Sequence, residues 1–171
     1  MIKIDKESLH ENKTSKQNVR IVKEFGVVTY YLNDKIHRED GPAVIYNDGS
    51  LSYWINGRLH REDGPAIELV NGNKEYFING KRHREDGPAV ERADGDKEYW
   101  INGINGNLHR EDGPAVEWVN GDKVYYIHGK RHREDGPAIE WPNGHKEYWI
   151  NGNLHREDSL AIQCSNRGAE Y

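Results

Sequence analysis

The sequence predicts an all-β protein: an elongated, twisted, single-layer antiparallel meander of about seven 23-residue β-hairpin repeats. Three observations carry that expectation. The heptapeptide His-Arg-Glu-Asp-Gly-Pro-Ala stands in full at 37–43, 60–66, 83–89, 109–115 and 132–138, and a sixth copy, His155-Arg156-Glu157-Asp158, runs into Ser159-Leu160-Ala161. The copies begin 23, 23, 26, 23 and 23 residues apart. Within a period, two short β-type runs each close on Asn-Gly, the strongest short-range hairpin signal. The chain is polar, with mean hydropathy −1.02 and 31% charged residues, yet it holds five Trp and ten Tyr, so aromatic burial has to replace aliphatic burial.

Residues 1–17 show neither a sustained period of two nor a helical stripe and read as a mobile lead-in. The repeat register is traceable from Asn18, because Ile21, Gly26, Tyr30, Tyr31 and His37 fall where Ile67, Gly72, Tyr76, Phe77 and His83 fall. Residues 18–171 therefore form one array. In the unit that begins at Gly136, Pro142 pre-sets φ for the first central position of a type I turn, and Gly144 takes the left-handed site of a G1 bulge. That three-residue loop sets Trp141 against His145 and Glu140 against Lys146. The same register opposes Glu68 to Lys74, Glu91 to Lys97 and Glu117 to Lys123, whereas a two-residue loop would set Glu68 against Glu75.

Ala66 and Tyr76 then share one face, and Ile67 and Phe77 the other. With Trp54, Trp100, Tyr126 and Trp149 this second face is an aromatic stripe, expected to be the better buried. After the second Asn-Gly the chain enters Arg-Glu-Asp-Gly-Pro, a turn whose proline suits the first residue of the next strand, with the aspartate accepting from nearby backbone N–H groups. Some fourteen strands follow from about seven units, and their twist coils the ribbon. At the C-terminal end Ser159-Leu160 replace Gly-Pro, as in a capping repeat.

Tyr148-Trp149-Ile150-Asn151-Gly152-Asn153-Leu154-His155 and its counterparts resemble the MORN repeat, a 23-residue β-hairpin unit with a Y…W-x-N-G-x-x-x-G pattern. The likeness covers residues 18–171. The His-Arg-Glu-Asp-Gly-Pro-Ala form is similar to a variant found in phage, giant-virus and bacterial proteins, some grouped with antitoxin components. The resemblance implies a scaffold and protein interaction. The chain lacks the glycine after the first Tyr and replaces Gly-x-Gly by Arg-Glu-Asp-Gly-Pro, so membrane-lipid binding is not carried over.

An active site needs one set of groups converging on one point, whereas here His37, His60, His83, His109, His132 and His155, with Asp40, Asp63, Asp86, Asp112, Asp135 and Asp158, recur in every unit. They read as a structural ladder of turn hydrogen bonds and ion pairs. Equivalent histidines stand about 10 Å apart across two strands, too far to share a zinc ion. The lone Cys164 has no unique base beside it and excludes an internal disulfide. No metal, cofactor or enzymatic activity is expected. Net charge −5 argues against a strongly basic nucleic-acid surface, and the lack of an apolar stretch of signal-peptide or transmembrane length makes a cytoplasmic protein that engages no membrane the default expectation.

A binding site is expected where units differ. The three-residue insert Ile104-Asn105-Gly106 is the largest departure, and Arg92, Trp118, Tyr126, His128, Trp141 and His145 are also unit-specific. Trp, Tyr and Arg dominate interface hot spots. The expected function is a non-enzymatic repeat scaffold binding a protein partner, and the resemblance alone implies a phage–host or toxin–antitoxin conflict as its setting. The alternative is a binder of nucleotide or nucleic acid along an Arg/His edge that includes Arg58, Lys81, Arg82, Lys130 and Arg131.

Overall fold

The computed structural model describes residues 18–101, 107–157 and 159–165. The lead-in at 1–17, the insert Ile104-Asn105-Gly106 and Asp158 lie outside the described residues. The chain is all-β, with no helix among the described residues, and is not closed into a barrel. Accordingly no described helix is long and apolar enough to cross a membrane.

The array opens on its longest hairpin, Val19–Glu24 against Val27–Leu32, with six register pairs and a two-residue turn at Phe25 and Gly26 in which both φ angles are positive. From there one antiparallel sheet runs in sequence order to Ile162–Gln163, thirteen strands along its path, with Lys35–Ile36 paired onto Val27–Leu32. Each unit contributes two short strands, for example Ile67–Glu68 and Lys74–Glu75. The registers Glu68 to Lys74, Glu91 to Lys97, Glu117 to Lys123 and Glu140 to Lys146 are those read from the sequence. Loop chemistry explains why. Trp141 N donates to His145 O and Gly144 N donates back to Trp141 O, Gly144 has φ +86°, and Asn143 Oδ1 accepts from His145 N at 2.9 Å. That is the type I turn with a G1 bulge.

The unit is finer-grained than the two-strand meander expected from sequence. After Tyr76 the chain leaves the main sheet, and Phe77–Ile78 pairs with Lys81–Arg82 in a separate small hairpin. The neighbouring strand dictates the switch. Tyr76 N donates to Ala89 O, but the alanine N–H at this position turns to the strand on its other side, as Ala43 N does to Ser52 O and Ala115 N to Val124 O, and does not return the bond. Tyr76 O instead accepts from His83 N of its own unit. Equivalent hairpins are Trp54–Ile55 with Arg58–Leu59, Tyr126–Ile127 with Lys130–Arg131, and Trp149–Ile150 with Asn153–Leu154. Their tips, Asn-Gly except for His128-Gly129, carry positive φ at both residues, as at Asn56 (52°) and Gly57 (77°), the type I′ geometry that matches strand twist. The hairpins form a second row tied tip to flank, Gly80 N to Leu59 O at 2.7 Å and Gly152 N to Arg131 O at 2.9 Å.

Burial is split between the two faces. The alanines Ala43, Ala66, Ala89, Ala115 and Ala138 are fully covered on the tyrosine face. The larger buried side chains, Val44, Val90, Val116, Val124 and Ile139, lie on the aromatic-stripe face, where Val116, Val124 and Ile139 cluster with Leu108, Tyr126, Trp141 and Trp149.

Candidate interaction surfaces

Five of the repeats are clamped by their heptapeptide arginine, while the sixth, Arg156, keeps the ring contact with Tyr148. Arg84 lies over the Tyr76 ring at 4.1 Å, donates Nε to Asp86 Oδ1 at 2.9 Å, and sends Nη1 to Pro88 O and to Glu91 Oε1. Arg61, Arg110 and Arg133 repeat all four contacts. Arg38 keeps the ring, aspartate and carbonyl, while the position that would supply the glutamate is Ile45. The guanidinium hydrogen bond, reinforced by its charge, holds Asp40, Asp63, Asp86, Asp112 and Asp135 below the usual carboxylate range. Burial pushes the Tyr76, Tyr99 and Tyr125 phenols upward, against the pull of the arginine above each ring. Sequence reading assigned the aspartate to backbone N–H groups; its side chain bonds the guanidinium instead. Asx acceptance occurs in the other turn, at Asp48, Asn71, Asp94, Asn120 and Asn143.

The histidines join unit to unit. His37, His60, His109 and His132 accept through Nδ1 from the backbone N–H of Asn56, Asn79, His128 and Asn151, at 3.0 to 3.1 Å. These N–H groups belong to the left-handed tip residue of the following hairpin. The other ring nitrogen faces the exposed glutamate two residues on, at 3.5 to 3.7 Å. With Nδ1 engaged as an acceptor, these rings serve the scaffold. No group of three or more His, Cys, Asp or Glu that could hold a metal ion occurs among the described residues.

The Arg/His edge presents acid to solvent. Its arginine side chains are 23–24% exposed and its glutamates and aspartates 82–86% exposed in the units from 38 to 135. Of the hairpin cations, Arg82 bonds Glu75 at 2.9 Å and lies over Trp100, and Arg131 lies over Trp149 at 5.0 Å.

The unit-specific residues separate into two groups. Arg92, Trp118, Trp141 and His145 come together along the main-sheet turn edge, in successive units. Arg92 is exposed and reaches Glu98 at 3.3 Å, Trp118 is 41% exposed, and Trp141 is half-buried with its ring edge-on to His145. Tyr126 and His128 stand at the opposite end, in the hairpin row. Tyr126 packs on the apolar cluster, while His128 takes the left-handed tip position usually held by Asn and stacks on His109 at 4.6 Å. The structure does not unite the two groups. Beside the insert, Ile101 N donates to Asn107 O and Trp100 bridges Leu108, so its flanks belong to that hairpin row as well.

The turn edge also carries residues that sequence reading passed over. Val70 and Val119 are 69% and 67% exposed, with Leu69 and Tyr46 beside them in the row. They sit on rigid turns, because Val70 N donates to Ser50 Oγ, Ala93 N to Asn73 Oδ1 and Val119 N to Asp96 Oδ1 of the preceding unit. Where Pro142 removes that donor, Asp122 bonds Asn120 Nδ2 instead. An apolar residue just before Asn-Gly, where turn chemistry favours polar groups, was the available signal. Comparison with protein-family models gave no match, and comparison with curated proteins gave none.

Proposed function

We propose that the protein is a non-enzymatic β-repeat scaffold that captures a protein partner along its main-sheet turn edge. The observation that carries this reading is the apolar row there, Leu69, Val70, Trp118 and Val119, exposed on turns that neighbouring units hold rigid. Rigid, solvent-facing Trp and aliphatic side chains with Arg92 close by have the make-up of an interface centre, and they are ordered before binding. The likeness of the hairpins to MORN units supports a scaffold role, and a cytoplasmic phage–host or toxin–antitoxin setting rests on that likeness.

The alternative, capture of nucleotide or nucleic acid at the Arg/His edge, meets an obstacle in the same geometry. Beside the hairpin cations the guanidinium groups of Arg61 and Arg84 are already bonded to Asp and Glu, and their aspartates face water, so a phosphate approaching Arg58 or Lys130 meets carboxylates as well. The two readings separate in a capture experiment with wild type and a Val70→Ser/Trp118→Ser/Val119→Ser variant as baits. Partner capture lost in the variant, with unchanged thermal stability and weak dependence on salt, supports edge docking. Equal capture by both baits overturns it, and steep loss with salt selects the phosphate reading.

A further inference from the structure

The tyrosine face carries two parallel charged stripes. Lys74, Lys97, Lys123 and Lys146 lie opposite Glu68, Glu91, Glu117 and Glu140 in register, but Arg61, Arg84, Arg110 and Arg133 hold those carboxylates. The four lysines are exposed, and among the described residues none has an ion-pair partner within 4.0 Å. Farther along the same face stand the heptapeptide loops. Between successive loops open clefts, such as the 520 Å³ one lined by Tyr99, Ile101, His109 and the two arginines Arg84 and Arg110, with carboxylates around them. Equivalent clefts of 730 and 870 Å³ open at 133–157 and 38–63. The arginines there are already bonded to the aspartates Asp86 and Asp112, which leaves the solvent-facing Glu85 and Glu111 at the rim to meet the ammonium head of a lysine.

We propose that this face binds a second copy of the chain, the lysine stripe of each copy seated in the clefts of the other. A half-turn about an axis along the array carries lysines onto clefts and clefts onto lysines, an isologous contact. Both stripes recur once per unit, about 10 Å, a period that a second copy matches rung for rung. The three-residue insert does not disturb that period, because Lys97 still pairs in register with Glu117 across the main sheet. The turn edge stays outside the contact, so this dimer neither needs nor blocks a partner there.

Each copy carries net charge −5, so salt screens the general repulsion and the stripe attraction together. A charge swap reverses each stripe in turn; because it also gives the two variants net charges of opposite sign, re-association of the mixture supports the contact only together with stripe-to-loop cross-links between copies. One full-length variant carries Lys74→Glu, Lys97→Glu, Lys123→Glu and Lys146→Glu; the other carries Glu39→Lys, Glu62→Lys, Glu85→Lys, Glu111→Lys and Glu134→Lys. In sedimentation velocity, wild type is expected as a dimer, each variant alone as a monomer, and the equimolar mixture as a dimer again. The mixture should associate at least about tenfold more tightly than either variant alone. A monomeric wild type, or variants that dimerise unmixed as wild type does, overturns the proposal. Carbodiimide coupling of mixed isotope-labelled and unlabelled wild type tests for those cross-links, and decides alone should either variant lack the wild-type circular dichroism spectrum. Links from a stripe lysine to a loop carboxylate of the other copy support the contact, and their absence overturns it.

Discussion

Arg84 is largely screened from water and satisfied on every side: ring below, aspartate and glutamate flanking, proline carbonyl in front. Its removal leaves Pro88 O and the part-buried Glu91 without their donor, so Arg84→Ala is expected to cost about 2 kcal/mol in urea unfolding. Arg84→Lys should recover less than half, because an ammonium cannot serve ring, carbonyl and two carboxylates from one plane. Asp86→Ala should cost far less, since its carboxylate is open to solvent. The aspartates nonetheless act together on pH. Each is depressed in the fold, so its contribution is complete above the ordinary aspartate range and lost as pH falls through the lowered value. Thermal unfolding midpoints should therefore drop at acid pH, and Asp→Asn at 40, 63, 86, 112 and 135 should flatten that part of the profile. An unchanged profile would show that other groups govern acid unfolding.

Within the strands, acceptors on the aromatic face are matched to donors unit by unit. Trp54 Nε1 donates to Ser52 Oγ, Trp100 Nε1 to Glu98 and Trp149 Nε1 to Glu147, while Glu75, beside Phe77, is served by Arg82. In the one complete unit whose aromatic is Tyr126, the acceptor position is Val124, and it is buried. Val124→Glu should then cost about 2–4 kcal/mol by placing an unmatched carboxylate against Val116 and Ile139. Adding Tyr126→Trp should return about 1 kcal/mol of that through a new indole N–H, a coupling measurable by a double-mutant cycle. The registers of these strands were legible because loop length and cross-strand charge agreed, as at Glu140 and Lys146. The break after each tyrosine was not, because it turns on which neighbour the alanine N–H faces, and that depends on the next unit's register. Nor could Glu68 be assigned correctly: sequence pairs it with Lys74, whereas Arg61 reaches it across the loop, a contact set by the ring of Tyr53 beneath. Of the candidate residues, Arg92, Trp118, Trp141 and His145 share one edge because equal steps along a repeat land on one line, although the sequence marked them only as unit-specific. Val70 and Val119 were passed over because exposure of an apolar turn residue is a property of the folded edge.

At the scale of the molecule, contacts reach one unit and stop: His60 to Asn79, Asn73 to Ala93, Asp96 to Val119. Stability is then a sum of unit and neighbour terms. Deleting residues 60–82, one whole period, should leave a folded array with the same circular dichroism spectrum and a lower urea midpoint. Its unfolding slope should fall with length, by about one seventh. Loss of cooperative unfolding would contradict a neighbour-only architecture. The same short reach bears on biosynthesis. The six-pair hairpin from Val19 to Leu32 is the first described part of the chain to leave the ribosome, and it needs nothing downstream to pair. Each later unit finds its template already laid by the one before it, so growth of the sheet can keep pace with translation, and the nascent chain never waits for its C-terminal end to begin folding.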